Sequence, residues 1–264
     1  MPSTITTRSA ALAISAAMLA LSAPHAQAVM QDEIQVYTDD INEPGQYGVE
    51  VHVNTTPQGI KTPGYAGEVT NHHGVRLTPE FSYGLTKTTD IGLYVPTVYA
   101  SDGNFYAAGL KFRFKWLPLQ PEDNNGFFAG VNLELGQVQK KFSESPRGGE
   151  VRNILGWRNA NWLLSANPIF EFDASPGFSR LPGLEIATKI NRKISERMWL
   201  GWEHYNDRGQ YNKSLPSSQQ GNVEYLVIDY EGEGYDLNVG LGRGTTAVSD
   251  KWTIKAVVGY SFGK

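Results

Sequence analysis

Apolar and polar residues alternate with period two along most of this chain, which is the pattern of β-strands whose two faces meet different surroundings. Residues 106–116 make the case most plainly. Read as one strand, they place Tyr106, Ala108, Leu110, Phe112, Phe114 and Trp116 on one face and Gly109, Lys111, Arg113 and Lys115 on the other. An apolar face with aromatics at both ends, backed by a ladder of three like charges, suits lipid on one side and a polar lumen on the other.

Comparable segments at 46–55, 76–86, 91–100, 105–117, 126–138, 150–158, 161–173, 182–191, 196–206, 222–231, 234–243 and 251–262 predict twelve strands. A tilted strand crosses a bilayer in about 9–11 residues, so each is long enough. The connections at 87–90, 159–160, 191–195 and 231–234 are tight, and 118–125 is only somewhat longer. Those at 56–75, 139–149, 174–181, 207–221 and 244–250 are long and rich in Gly, Pro, Ser and Asn, while 101–104 is a short exception on that side. Short turns on one side and long loops on the other match an outer-membrane barrel with its short turns in the periplasm. An even strand number then puts both chain ends on the periplasmic side.

The aromatics test this independently. Tyr47, Trp116, Phe127, Trp157, Trp162, Trp199, Tyr230, Tyr235, Tyr260 and Phe262 fall beside the short turns or the chain ends. Tyr99, Tyr106, Phe172, Tyr205 and Trp252 fall at the opposite strand ends. Aromatic rings favour the lipid–water interface, so these sets predict two girdles. A secreted β-sandwich would also alternate, but it needs neither girdle. The predicted class is all-β: a closed antiparallel transmembrane β-barrel of about twelve strands.

The N-terminus adds a compartment. Arg8, an apolar stretch over residues 10–21 and Ala26-Gln27-Ala28 make a cleavable secretory signal over residues 1–28. No other apolar run is long enough for a transmembrane helix. Residues 29–45 then form an N-terminal periplasmic segment, and residues 46–264 the barrel. Within the former, residues 32–42 have period-two character at Ile34, Val36, Tyr37 and Ile41. They either prolong the first strand into the periplasm or fold into the lumen as a small plug. The chain has no cysteine, which excludes disulfides and thiolate sites, and a net charge of -4, which gives no case for nucleic acid.

The signal, the twelve amphipathic strands and the closing strand at 252–262 (WTIKAVVGYSF) resemble the proteobacterial outer-membrane β-barrel family. Gly263 and Lys264 follow Phe262, a departure from the usual terminal aromatic. Residues 33–37 (EIQVY) and 43–54 (EPGQYGVEVHVN) resemble uncharacterised barrels related to those encoded with aromatic meta-cleavage pathways, which are labelled transporters. The resemblance implies the bacterial outer membrane as location, with its lipids and assembly machinery as partners and small solutes as cargo.

If the apolar face meets lipid, the inward set includes Glu50, His52, Arg76, Glu80, Lys111, Arg113, Lys115 and Glu134, candidates to line a solute path. The basic ladder reads either as an anion-attracting stripe or as charges paired by Glu80, Glu134 or a neighbour. Inward glycines such as Gly92, Gly109, Gly136 and Gly240 either widen a channel or make room for long charged side chains. No cofactor or metal motif stands out. His72 and His73 are adjacent, so on an extended chain they point apart. His52 beside Glu50 reads as part of a polar network. An outer-membrane lipid hydrolase is the competing class, with His204 as base and Ser165, Ser175 or Ser179 as nucleophile, although no spacing singles out a pair. A structural or adhesion barrel with a plugged lumen is the third. The preferred reading is a narrow channel or transporter, not an enzyme.

Overall fold

In a computed structural model, residues 32–177 and 181–263 are described. The predicted signal at 1–28 and Ser179 lie outside them. The chain forms β1 (Tyr47–Gln58), β2 (Val75–Thr86), β3 (Thr89–Tyr94), β4 (Thr97–Tyr99), β5 (Phe105–Ala107), β6 (Gly109–Leu119), β7 (Gly126–Val138) and β8 (Arg147–Arg158). It continues through β9 (Trp162–Asp173), β10 (Gly183–Lys193), β11 (Met198–Gln210), β12 (Lys213–Ser214), β13 (Gly221–Glu231), β14 (Asp236–Gly244) and β15 (Trp252–Phe262).

Each membrane crossing pairs antiparallel with the next, and β15 pairs with β1 over Tyr47↔Phe262 to Gln58↔Trp252, closing the barrel. β3 and β4 make one crossing bent at Pro96, β5 and β6 make another, and β12 is a two-residue extension in the loop after β11. The crossings number twelve, as predicted. Closure pairs the long strands on both sides, which is what a bilayer core demands of strands, and only the short β5 and β12 pair on one side.

One strand differs from its sequence reading. Residues 106–116 are not a single alternating face, because the chain is interrupted at Ala108. Tyr106 pairs with Val98, whereas Lys111 pairs with Tyr94 and Arg113 with Gly92. Pairing two strands at the same depth with one extra residue on the second is a bulge, and it reverses which side chains face inward. The Ala108 N–H donates to Pro96 O at 2.8 Å and the Gln139 N–H donates to Ala108 O at 2.7 Å, so the interruption stays bonded. Tyr106 therefore packs inside with Val98, Ala100, Ala108 and Phe142, not on the outer girdle. Leu110, Phe112 and Trp116 stay exposed on the lipid face.

Two more girdle assignments are corrected. Trp199 is buried and its indole N–H donates to Glu231 Oε1 at 2.9 Å, and Tyr205 donates its hydroxyl to Glu203 Oε2 at 2.7 Å. Both stand at inward positions of β11, in line with Glu203. The other girdle aromatics behave as expected: Tyr47, Phe262 and Tyr260 stack in a row outside the β1–β15 seam, and Trp116, Phe127 and Trp162 are exposed.

Leu226 lies near the middle of β13, 62% exposed between Trp202 and Leu241 on the neighbouring strands. Leu226→Arg places a charge in the hydrocarbon and lowers stability by about 2–4 kcal/mol in denaturant titrations of the lipid-inserted barrel. Leu226→Met, with similar volume and no charge, costs less than about 1.5 kcal/mol.

Candidate functional site

Eight strands are just filled by side chains and sixteen leave an open pore, so twelve leave a lumen that something must occupy. Much of it is occupied by the chain's own N-terminal segment. Asp32, Ile34, Val36, Tyr37 and Thr38 are all buried within the barrel. Of the two options open to residues 32–42, the luminal plug is the one adopted, with residues 32–38 inside the barrel.

The plug has its own backbone bonds to the wall, since a strand without ladder partners must satisfy its N–H and C=O groups elsewhere. Asn167 accepts from the Tyr37 N–H at 2.7 Å and donates to Tyr37 O at 3.1 Å, a two-way amide clamp. Ser165 Oγ donates to the same carbonyl at 2.6 Å. Arg152 donates to Gln35 O at 2.8 Å, and Lys255 Nζ donates to Ile34 O at 2.9 Å. Near the periplasmic end, Arg158 reaches both oxygens of Asp39 at 3.1 Å. The chain leaves past Gly84, where an added Cβ would collide with the backbone oxygens of Glu43 and Asn42.

The side chains of the plug sit on apolar patches of the inner wall. Ile34 packs on Val223, Tyr225 and Val227, Val36 on Ile169 and Ala187, and Tyr37 on Leu117, Phe128 and Ile154. Sequence reading passed over these wall residues. Their signal was available: they are apolar residues at positions whose strand parity points inward, where a water-filled lumen would want polar ones. Tyr37 also bonds the Tyr94 hydroxyl at 2.7 Å and donates to Glu134 at 3.3 Å, with the Arg152 guanidinium over its ring.

All eight predicted lining residues face inward, and the basic ladder among them does not stand free. Lys111 Nζ lies 3.0 Å from Asp32 and 3.1 Å from Glu134, Arg113 lies 2.7 Å from Glu80 and 3.4 Å from Asp90, and Lys115 lies 3.7 Å from Asp90. The basic ladder is therefore a paired network and not an open anion stripe. Gly92 and Gly136 make room for it, since a Cβ there would meet the Arg113 Nε and the Lys111 stem at 2.7 Å. Gly109 instead meets the backbone of the next strand at the bulge. Arg76 is buried and bonds Asn71, while His52 and Glu50 stand across from β2. A second network joins Glu203 to Lys255 at 2.5 Å and to Lys189 at 3.3 Å, with Asp229 on Lys189 at 2.7 Å.

Among the described residues, those weighed for hydrolysis do not converge. His204 stacks on Trp202 with ring centroids 5.5 Å apart and pairs its Nε2 with Asn222 Oδ1 at 2.9 Å. Ser165 is committed to the Tyr37 carbonyl, and Ser175 Oγ accepts from the Arg147 N–H at 3.0 Å. His72 and His73 do not point apart as an extended chain would require. His73 has a φ of 58°, and the turn there brings the two rings to 3.9 Å.

No family model and no curated protein matches the chain. Solved structures do. An outer membrane channel from Pseudomonas putida F1 superposes with a TM-score of 0.58 at 11% identity, over 87% of this chain and 100% of that one. The KdgM porin gives 0.55 at 9%, over 82% and 99%, and the NanC porin 0.50 at 10%, over 83% and 100%. The fold is that of the twelve-stranded outer-membrane barrels.

Asn167→Ala removes both arms of the amide clamp on Tyr37. Losing a buried hydrogen bond costs about 1–3 kcal/mol. Amide hydrogen exchange over residues 34–38 should therefore speed up by about 5- to 150-fold, with exchange in β9 little changed.

Proposed function

We propose that this protein is an outer-membrane channel or transporter that gives small solutes a narrow path, exported by a cleaved signal at residues 1–28. The observation that carries this reading is the inner wall. A barrel built only to sit in lipid has no use for a lumen lined by Lys111, Arg113, Arg152, Lys189 and Lys255 with matching carboxylates, each costly to bury. A path along which polar solutes exchange their hydration for protein groups has that use. The candidate lining is Glu50, His52, Arg76, Glu80, Lys111, Arg113, Lys115 and Glu134, with the plug narrowing it. The likeness in fold to porins supports the class. KdgM is described with an oligogalacturonate, which concerns that protein. The likeness of residues 33–37 and 43–54 to barrels encoded with aromatic meta-cleavage pathways favours that group among the transporters.

A structural barrel is the second reading, favoured by the same plug, since its backbone is bonded to the wall at Ile34, Gln35 and Tyr37. Planar-bilayer recordings separate the two. The full barrel is expected to conduct in small steps, and deletion of residues 32–42 to raise the step several-fold while heat-modifiable migration persists. No conductance in either form would sink the channel reading, and lipid release in place of conductance would turn it toward a hydrolase.

A further inference from the structure

Within the candidate lining, one cluster on the first two strands has a geometry that solute passage alone does not require. Glu50 and His52 are two apart on β1 and so share the inward face, and Glu80 stands directly across from Glu50 on β2. His52 Nε2 lies 3.8 Å from Glu50 Oε2 and 3.6 Å from Glu80 Oε2, and one ligand atom from each of the three lies within 4.8 Å of the others. These separations are too long for hydrogen bonds, which for N–H···O run about 2.7–3.2 Å. They approach the edge of a coordination tetrahedron: ligand bonds of about 2.0–2.2 Å set neighbouring donor atoms about 3.3–3.6 Å apart.

Two further observations point the same way. His52 is 0% exposed, yet neither ring nitrogen has a hydrogen-bond partner. Buried imidazole nitrogens are ordinarily satisfied, and an unmet one asks for an explanation. Glu33 on the plug, which acts electrostatically on His52, is also buried, with both oxygens unbonded. Charge is out of balance here as well. Glu50, Glu80 and Asp90 share Arg113 and Lys115, while the cations near Glu33 are Lys111 at 3.9 Å, which already serves Asp32 and Glu134, and Arg152, which already serves Glu150. Buried carboxylates in excess of cations are costly, and a divalent cation offsets two of them at once.

We propose that Glu50, His52 and Glu80 form a divalent transition-metal site of the zinc type on the lumen wall. One imidazole and two carboxylates suit Zn²⁺ and its neighbours in the first row better than Ca²⁺ or Mg²⁺, which prefer all-oxygen shells. The fourth position is open to water or to Glu33. The Glu50 side chain is 38% exposed, so an ion can reach the site from the lumen. The bound ion ties β1 to β2 beside the plug. No spacing along the chain displays the site, because the third ligand comes from the adjoining strand through register.

The test uses the full barrel, folded in detergent and stripped with a chelator. Co²⁺ is titrated while its visible d–d absorption is followed, and Zn²⁺ binding is measured by calorimetry. One Co²⁺ per chain, displaced by Zn²⁺, is expected. Affinity should fall at least about tenfold in His52→Gln and in Glu50→Gln, and persist in the His72→Gln/His73→Gln double variant, which removes the neighbouring imidazole pair on the outer loop. Heat-modifiable migration reports whether each variant is folded; if His52→Gln is not, Glu50→Gln, on a half-exposed side chain, decides alone. Absence of saturable binding by the wild type overturns the site. So does wild-type affinity in Glu50→Gln, or loss of binding in the His72/His73 variant alone. The readout is independent of conductance, so the site and the channel reading can fail separately.

Discussion

The closed ladder of backbone hydrogen bonds is the constraint from which the rest of this structure follows. In hydrocarbon no water is present to satisfy an unpaired N–H or C=O, so the strands must end where they began. The β1–β15 pairing achieves this, and it forces every strand to divide its side chains between lipid and lumen. Interruptions are tolerated only where the freed groups find other partners. At Ala108 the bulge keeps its bonds to Pro96 and Gln139 while turning Tyr106 inward.

Closure also creates the interior problem. Twelve strands enclose more space than their own side chains fill, and the space is lined with charges that water alone would have to solvate. Two solutions operate together. Charges pair across strands, as Lys111, Arg113 and Lys115 do with acids on β2, β3, β7 and the plug, and glycines on adjoining strands admit the long side chains. The N-terminal segment fills the centre and is itself held by those charged side chains, Arg152 and Lys255 among them. Plug and ladder are thus one network, and a solute path through this barrel would have to run past or through it.

The network explains why inward charge, read along the sequence, does not say how much of the lumen is filled. A charged inner wall looks the same along the chain whether its partner is a solute, an opposing side chain or a segment of backbone. Here the apolar wall patches around Ile169, Val223 and Ile154 are the better marker, because only a packed occupant gives them a reason to face inward. Tyr37 unites both features, with its ring on the apolar patch and its hydroxyl between Tyr94 and Glu134.

The amino-acid pattern alone determined the class, the number of crossings, their limits to within a few residues and the inward orientation of all eight candidate residues. Those properties follow from period-two alternation and turn chemistry, which act locally and are written in order along the chain. Tertiary structure decided the rest. Whether Trp199 and Tyr205 face lipid depends on strand parity, and for Tyr106 a bulge reverses that parity without any residue to announce it. Where residues 32–42 go depends on Asn167, Arg152 and Lys255, brought together from three strands. The Glu50–His52–Glu80 cluster depends on the register between β1 and β2. Register and plug docking are pairings between distant parts of the chain, and a linear pattern carries the preferences of each partner but not their meeting.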